Sequence, residues 1–279
     1  MKLFGNIVAR LCVPVVLINL AACGESGVTN IETSSPDTLS EHSADRNIVV
    51  RLETAGGLVA PDFHFRTLPS LVIYADGLVI TQGPQIAIYP APALPSLVVR
   101  RLDAAGLAAV KKVITGAGLV TASPPGYAAV PIQIADGPTT TLVVTFDGIT
   151  ATHAAYALGM GQTAETGARK TLADVVARLE DLGSLVGAEH IGPEAMFAPT
   201  RFAIRTSPSE ADPSSPVVDW PLVNVALGAA AECLVVDDPA APALFASMTT
   251  ATRVRQAVVI YSIAVRPVLP AETGCGTGG

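Results

Sequence analysis

Two Asp-Gly pairs, Asp76-Gly77 and Asp147-Gly148, constrain this chain more than any other feature. Each pair lies between two runs of β-branched and aliphatic residues, and Asp-Gly supplies the positive-φ positions of a tight hairpin turn. An amphipathic helix pattern follows each hairpin, over 102–117 with Asp103 as its cap and around 172–182. The sequence therefore predicts an α+β fold, with an antiparallel sheet built from hairpins and helices packed on one face.

The composition favours an aliphatic core and argues against binding to nucleic acid. Hydrophobic residues make up 50% of the 279 residues, whereas aromatic residues make up only 5%. Valine, leucine, isoleucine and alanine must therefore fill the core. The formal net charge is −7, and the chain contains no run of lysine or arginine. Because nucleic-acid binding depends on basic patches, we expect no nucleic-acid partner.

The first 22 residues have the pattern of a bacterial lipoprotein signal peptide. A basic start precedes an apolar run over residues 11–22, which is too short to cross a bilayer that needs roughly 20 apolar residues. The run ends in Leu20-Ala21-Ala22-Cys23, which matches a lipobox. This motif predicts cleavage before Cys23 and lipidation of that cysteine. The alternative is an ordinary secretory signal in which Cys23 has no role.

The composition changes along the chain and predicts four segments. Residues 1–22 form the signal peptide. Residues 23–45 are rich in Ser, Thr, Glu and Asp and hold little to bury, so we expect a flexible tether. Residues 46–186 contain the two hairpin–helix units of an α+β domain. Residues 196–279 are expected to form a smaller C-terminal α/β module of strand, helix and strand.

Two further runs have the pattern of strands. Ile86 to Tyr89 is apolar and lies between Pro84 and Pro90, which indicates a short strand. Gln256 to Val265 is longer and apolar on both faces, which predicts a central, buried strand of the C-terminal module.

Cysteine usage is consistent with an oxidising compartment outside the cytoplasm. Cys12 lies in the signal peptide and Cys23 carries the lipid, so Cys233 and Cys275 remain. A remaining pair in an exported protein is most simply a disulfide. It would close the C-terminal module. The alternatives are two free buried thiols or a pair of metal ligands.

No sequence motif for catalysis, metal binding or cofactor binding is found. The chain has no Gly-x-Ser-x-Gly elbow, P-loop, dinucleotide fingerprint, His-Glu-x-x-His or Cys-x-x-Cys motif. His153 and Tyr156 could together perform acid–base chemistry, although a hydrogen-bonded structural histidine explains His153 as well. Glu189 and His190 could be weak metal ligands, or a solvated loop. We predict no metal site and no cofactor.

Distinctive motifs lie in Leu71 to Ile80, Thr141 to Gly148, Tyr156 to Gly159 and Tyr261 to Glu272. In these motifs the ordered part resembles a set of uncharacterised bacterial secreted proteins and lipoproteins. The resemblance implies export and a shared fold, and it implies no activity. The chain departs from the set at 253–256, where a second tryptophan is expected and none occurs.

These patterns predict a location more firmly than a function. We expect a lipid-anchored protein on the extracytoplasmic face of the cell membrane that binds an envelope protein or glycan without catalysis. One alternative is an envelope hydrolase with a site near His153 and Tyr156. Another is a structural or inhibitory role for the disulfide-closed C-terminal module.

Overall fold

The computed structural model describes residues 46–128, 134–161, 164–210 and 212–275. The predicted signal peptide over 1–22, the predicted tether over 23–45 and the lipidation of Cys23 lie outside the described residues and stay predictions. The described chain mixes helices with antiparallel sheet, which confirms the predicted α+β class. Its helices are α1 (Pro61–Arg66), α2 (Ala104–Gly116), α3 (Gly167–Glu180), α4 (Leu182–Val186) and α5 (Ala241–Ala246).

The larger sheet has seven strands. They are β1 (Ile48–Ala55), β2 (Leu71–Tyr74), β3 (Leu78–Gln82), β4 (Leu97–Arg101), β5 (Thr139–Phe146), β6 (Ile149–Tyr156) and β7 (Ala195–Met196). Their order is β6-β5-β1-β2-β3-β4-β7, and all neighbours run antiparallel. The two Asp-Gly pairs form the turns between β2 and β3 and between β5 and β6, as predicted; Gly77, Asp147 and Gly148 have positive φ.

The helices α2, α3 and α4 cover one face of this sheet. Asp103 caps α2 as expected, because its side chain accepts a hydrogen bond from the Gly106 N–H over 2.7 Å. Burial of each large aliphatic side chain in this layer contributes roughly 1.5–3 kcal/mol. Its fully buried members include Val50, Ile73, Val110, Ile114, Leu142, Val144 and Leu172.

The opposite face of the larger sheet is also covered, in this case by irregular chain. Leu68, Phe197 and Leu269 pack on the side chains that β2, β3 and β4 turn away from the helices. The Tyr74 hydroxyl, buried on this face, donates a hydrogen bond to the Pro270 carbonyl over 3.1 Å. The central strands are therefore apolar on both faces, which explains their unbroken runs of buried residues.

A second sheet of five strands is built from the C-terminal part of the chain. Its strands are β8 (Phe202–Pro208), β9 (Val217–Asp219), β10 (Leu234–Val236), β11 (Arg253–Gln256) and β12 (Val259–Pro267). They lie in the order β10-β8-β12-β11-β9. The helix α5 packs on one face, where Phe245 contacts Phe202 edge-on with ring centroids 4.9 Å apart. The predicted Cys233–Cys275 disulfide is present and ties the end of the described chain to the start of β10.

One strand prediction was wrong, and the start of another was misplaced. Ile86–Tyr89 is a loop. Proline has no N–H to donate to a strand ladder, and this stretch has prolines close by on both sides, at 84, 90, 92 and 95. The predicted strand from Gln256 to Val265 begins three residues later than expected: Val259–Val265 lie in β12, which is the middle strand of the second sheet as predicted. Gln256 instead ends β11, and Ala257 and Val258 form a hairpin turn between the two strands. Ala257 takes a positive φ of 55° there, so this turn lacks the glycine signal that marks the other hairpins.

Candidate functional site

His153 lies on β6 with its side chain fully buried between the sheet and the segment after α2. Its Nε2 lies 2.8 Å from the Leu119 carbonyl oxygen, and its Nδ1 lies 2.7 Å from the Tyr127 hydroxyl. A carbonyl oxygen can only accept, so Nε2 carries a proton and donates to Leu119. Both ring nitrogens are therefore occupied, and neither faces a space that a substrate could enter.

Tyr156 stands three residues further along the same strand, so its side chain points to the opposite face of the sheet from His153. Its hydroxyl accepts from the Gly137 N–H over 2.7 Å and donates to the Ile134 carbonyl over 2.8 Å. The structure does not bring His153 and Tyr156 together. Each side chain instead fastens a different loop to β6.

His190 contacts an acidic side chain that sequence spacing did not reveal. Its Nδ1 donates to a carboxylate oxygen of Asp103 over 2.9 Å, and its Nε2 lies 3.8 Å from Glu189. The hydrogen bond with Asp103 raises the pKa of His190. The Gly106 N–H and then His190 lower the pKa of Asp103. Because Asp103 also caps α2, this cluster is a helix cap at the surface.

A surface groove of about 560 Å³ runs between α2 and α3. It exists because α2 packs mainly against α4 and only lightly against α3, which leaves the outer space between α2 and α3 open. Apolar side chains and small residues form much of its lining. They are Ala109, Val113, Gly116, Ala117, Val175 and Leu185.

Two cationic side chains border this groove, Lys112 on α2 and Arg178 on α3. Neither has a hydrogen-bond or ion-pair partner within the described residues. The acidic residue that lines the groove, Asp174, is neutralised by Lys170 at 2.6 Å. The groove therefore presents an apolar lining with net positive charge on a chain whose formal net charge is −7. It suits a partner that carries an acidic group beside an apolar one.

One end of the larger sheet carries large apolar side chains that face solvent. This is the end where β1 finishes, β2 begins, β3 finishes and β4 begins, as the pairs Leu52 with Leu71 and Gln82 with Leu97 show. Sequence reasoning missed this surface and assigned part of it to a strand. The signal was present, because residues 83–96 contain no charged residue. The exposed side chains are Leu58, Phe63, Ile86, Ile88, Tyr89 and Met196.

Two further findings concern membranes and metals. Among the helices of the described ranges, none is long and apolar enough to cross a membrane. In the same ranges, no three His, Cys, Asp or Glu side chains are grouped so that they could hold a metal ion.

The chain was compared with protein-family models, with curated proteins and with solved structures. No family model matches it, and neither does any curated protein or solved structure. The resemblance to bacterial secreted proteins and lipoproteins therefore stays a prediction.

Proposed function

We propose that this chain is a lipid-anchored protein of the extracytoplasmic face of the cell membrane that binds an envelope protein or glycan without catalysis. The lipobox Leu20-Ala21-Ala22-Cys23 supports the location. The Cys233–Cys275 disulfide is consistent with it, because such bonds persist in oxidising compartments. His153 and Tyr156 lie apart, with their polar atoms engaged by loops, so no observation favours the hydrolase alternative.

The groove between α2 and α3 is the observation that carries the binding proposal. Recognition sites combine apolar lining with a few placed polar groups, and this groove offers Lys112 and Arg178 beside apolar residues. Within the described residues Lys112 and Arg178 have no ion-pair partner, so no ion pair between described residues must break when they contact an acidic group of a ligand. The partner is therefore an envelope protein or glycan with an acidic group that reaches the groove.

The anchor is tested by a Cys23→Ser substitution in the expressed chain. We expect the substitution to abolish labelling with a radioactive fatty acid and to release the protein from the membrane fraction. A Cys12→Ser variant is the matched control, because that cysteine lies within the predicted signal peptide, and it should stay lipidated. Membrane retention and labelling that persist in Cys23→Ser would contradict the lipid anchor.

The groove is tested by charge reversal at Lys112 and Arg178. Crosslinking of the wild-type protein in envelope extracts should yield a specific adduct that the Lys112→Glu and Arg178→Glu variants lose. Lys111→Glu is the control, because this neighbouring lysine pairs with Asp147 and does not line the groove. An adduct that all three variants retain would remove the groove from the binding site.

A further inference from the structure

The loop between β3 and β4, residues 83–96, presents an apolar tip to solvent. The side chains of Ile86, Ile88 and Tyr89 are 67%, 57% and 94% exposed. Large apolar side chains exposed side by side mark an interaction surface more often than scattered ones do. The loop contains no charged residue, so burial of its tip in an apolar medium desolvates no charge.

Hydrogen bonds hold the base of this loop in place, so the apolar tip projects from a fixed position. The Gly83 N–H donates to the Ser96 carbonyl over 3.0 Å. The Gln85 amide bridges the same two residues, donating to both carbonyls and accepting from the Ser96 N–H. On the far side, the Ala93 N–H donates to the Met248 carbonyl of the second sheet region over 3.0 Å.

A second exposed apolar segment leaves the same end of the larger sheet. It follows β1 and includes Leu58, which is 86% exposed, and Phe63, which is 59% exposed. The opposite end of the sheet is polar by comparison. There the Asp76 and Asp147 turns carry ion pairs to Arg46 and Lys111. The two ends therefore differ in character along the direction of the strands.

We propose that the tip of the 83–96 loop rests in the interfacial layer of the same bilayer that holds the lipid on Cys23. This inference rests on the proposed lipid anchor. Tyrosine is favoured at membrane interfaces because its ring is apolar and its hydroxyl remains in water. A specific protein interface would use about one hydrogen bond per 100–200 Å². The tip offers few such groups, because the Gln85 amide is already engaged at the loop base.

The length of chain outside the described residues permits this contact. The predicted tether precedes β1 in the sequence, and β1 begins at the opposite end of the sheet from the loop. Residues 24–45 span at most about 75 Å when extended, whereas the eight residues of β1 span about 26 Å. The predicted tether is therefore long enough for the lipid on Cys23 to enter a membrane that the loop end of the sheet faces.

A single fluorescent label on the lipidated chain tests the contact. Cys233 and Cys275 are joined and Cys23 carries lipid, so Ile88→Cys adds the one thiol open to an environment-sensitive dye such as NBD. In vesicles of phosphatidylethanolamine and phosphatidylglycerol, we expect its emission to shift to shorter wavelength and to be quenched by nitroxide-labelled lipid. Ile149→Cys is the matched control, because it replaces the same residue type at the opposite end of the sheet. It should show neither effect.

The outcomes separate this inference from the lipid anchor. If the labelled chain does not float with the vesicles, both proposals fall. If it floats and the dye at residue 88 behaves like the dye at residue 149, only the loop contact is overturned. If the emission of the dye at residue 88 shifts only after envelope extract is added, the loop contact with the bilayer is overturned as well. That result would assign the tip to a protein partner. A further Ile86→Asp substitution should abolish a true membrane-dependent shift while flotation is retained.

Discussion

His153 acts as a bridge between β6 and the chain that follows α2. Its two ring nitrogens join the Leu119 carbonyl and the Tyr127 hydroxyl to the sheet, and its ring meets that of Tyr127 edge-on with centroids 5.8 Å apart. A buried polar side chain with every group satisfied fixes one arrangement of its neighbours, because each alternative leaves a group unpaired. The residue therefore specifies the path of the 119–127 segment.

Replacing His153 with alanine should destabilise the protein by about 3 kcal/mol, since it leaves a cavity and removes the hydrogen-bond partner of a buried carbonyl. Urea unfolding followed by circular dichroism measures the loss. Thr152→Ala is the control on the same strand, because that side chain faces solvent, and it should cost less than about 0.5 kcal/mol. Equal effects of the two substitutions would contradict the bridging role.

The His190–Asp103 contact should make stability depend on pH. Hydrogen bonding to Asp103 raises the pKa of His190 in the folded state. The stabilisation is therefore fully present below the unfolded pKa of about 6.5 and is lost as the pH rises through the higher folded value. We expect the urea midpoint of the wild type to fall as the pH rises from about 6.5 through the raised folded pKa of His190, with a smaller fall in His190→Gln.

His64→Gln provides the comparison for this pH dependence, because His64 is an exposed histidine on α1. This variant should retain the fall seen in the wild type. A His190→Gln profile that overlays the wild-type profile would show that the contact with Asp103 does not form in solution.

At the scale of elements, the Cys233–Cys275 disulfide closes a loop with a sequence separation of 42 residues. The loop-entropy argument gives about 4 kcal/mol for a loop of this size. The double Cys233→Ser, Cys275→Ser variant should therefore unfold at clearly lower urea concentration than the wild type. Reductant should lower the wild-type midpoint toward that of the variant and leave the variant unchanged. A wild-type midpoint that reductant does not move would contradict the expected stabilisation.

The elements that sequence predicted are those with local signals. The two Asp-Gly hairpins and the helices α2 and α3 follow from turn residues and periodicity that lie within a few positions of each other. The hairpin at Ala257 was missed because its turn has no Gly, Asn or Asp. The short strand β7 was missed because two residues carry no periodicity, and β7 exists only through its pairing with β4.

The groove and the exposed loop tip could not have been derived in the same way. The groove depends on the separation of α2 and α3. That separation is set by α4, which packs against both helices. Lys112 and Arg178 are far apart in sequence and look like ordinary surface residues of two amphipathic helices. The loop tip did carry a signal in its lack of charge, but the same apolar run also fits a strand until its neighbours are known.

At the scale of the whole molecule, the two sheets are joined by ions as well as by apolar contacts. Glu272 accepts hydrogen bonds from Arg51 of β1 over 2.7 Å and from Arg266 of β12 over 2.9 Å. Burial alone would lower the pKa of Arg51, but its hydrogen bonds and charge interactions with Glu272 and Glu53 raise it. Arg51 and Glu272 are 221 residues apart in the sequence, so sequence spacing could not indicate their contact.

Removing the carboxylate of Glu272 should leave the largely buried guanidinium group of Arg266 without its acidic partner and should leave Arg51 paired with Glu53 alone. We expect Glu272→Ala to destabilise the protein by about 3 kcal/mol, because an uncompensated buried charge is costly. Urea unfolding gives the value. Asp174→Asn is the control, since it breaks an exposed pair with Lys170 that should contribute less than about 1 kcal/mol. If Glu272→Ala and Asp174→Asn unfold at the same urea concentration, the ion pairs of Glu272 do not stabilise the contact between the two sheets.

The cover that Leu269 provides for β2, β3 and β4 has a consequence for how the chain folds during synthesis or transport. A chain that emerges from its N-terminus delivers these three strands long before residue 269 arrives. Until then Leu68, and later Phe197, cover only part of one apolar face of the nascent sheet. We therefore expect an early intermediate with exposed apolar surface, which favours aggregation unless a chaperone binds it or the chain is completed quickly.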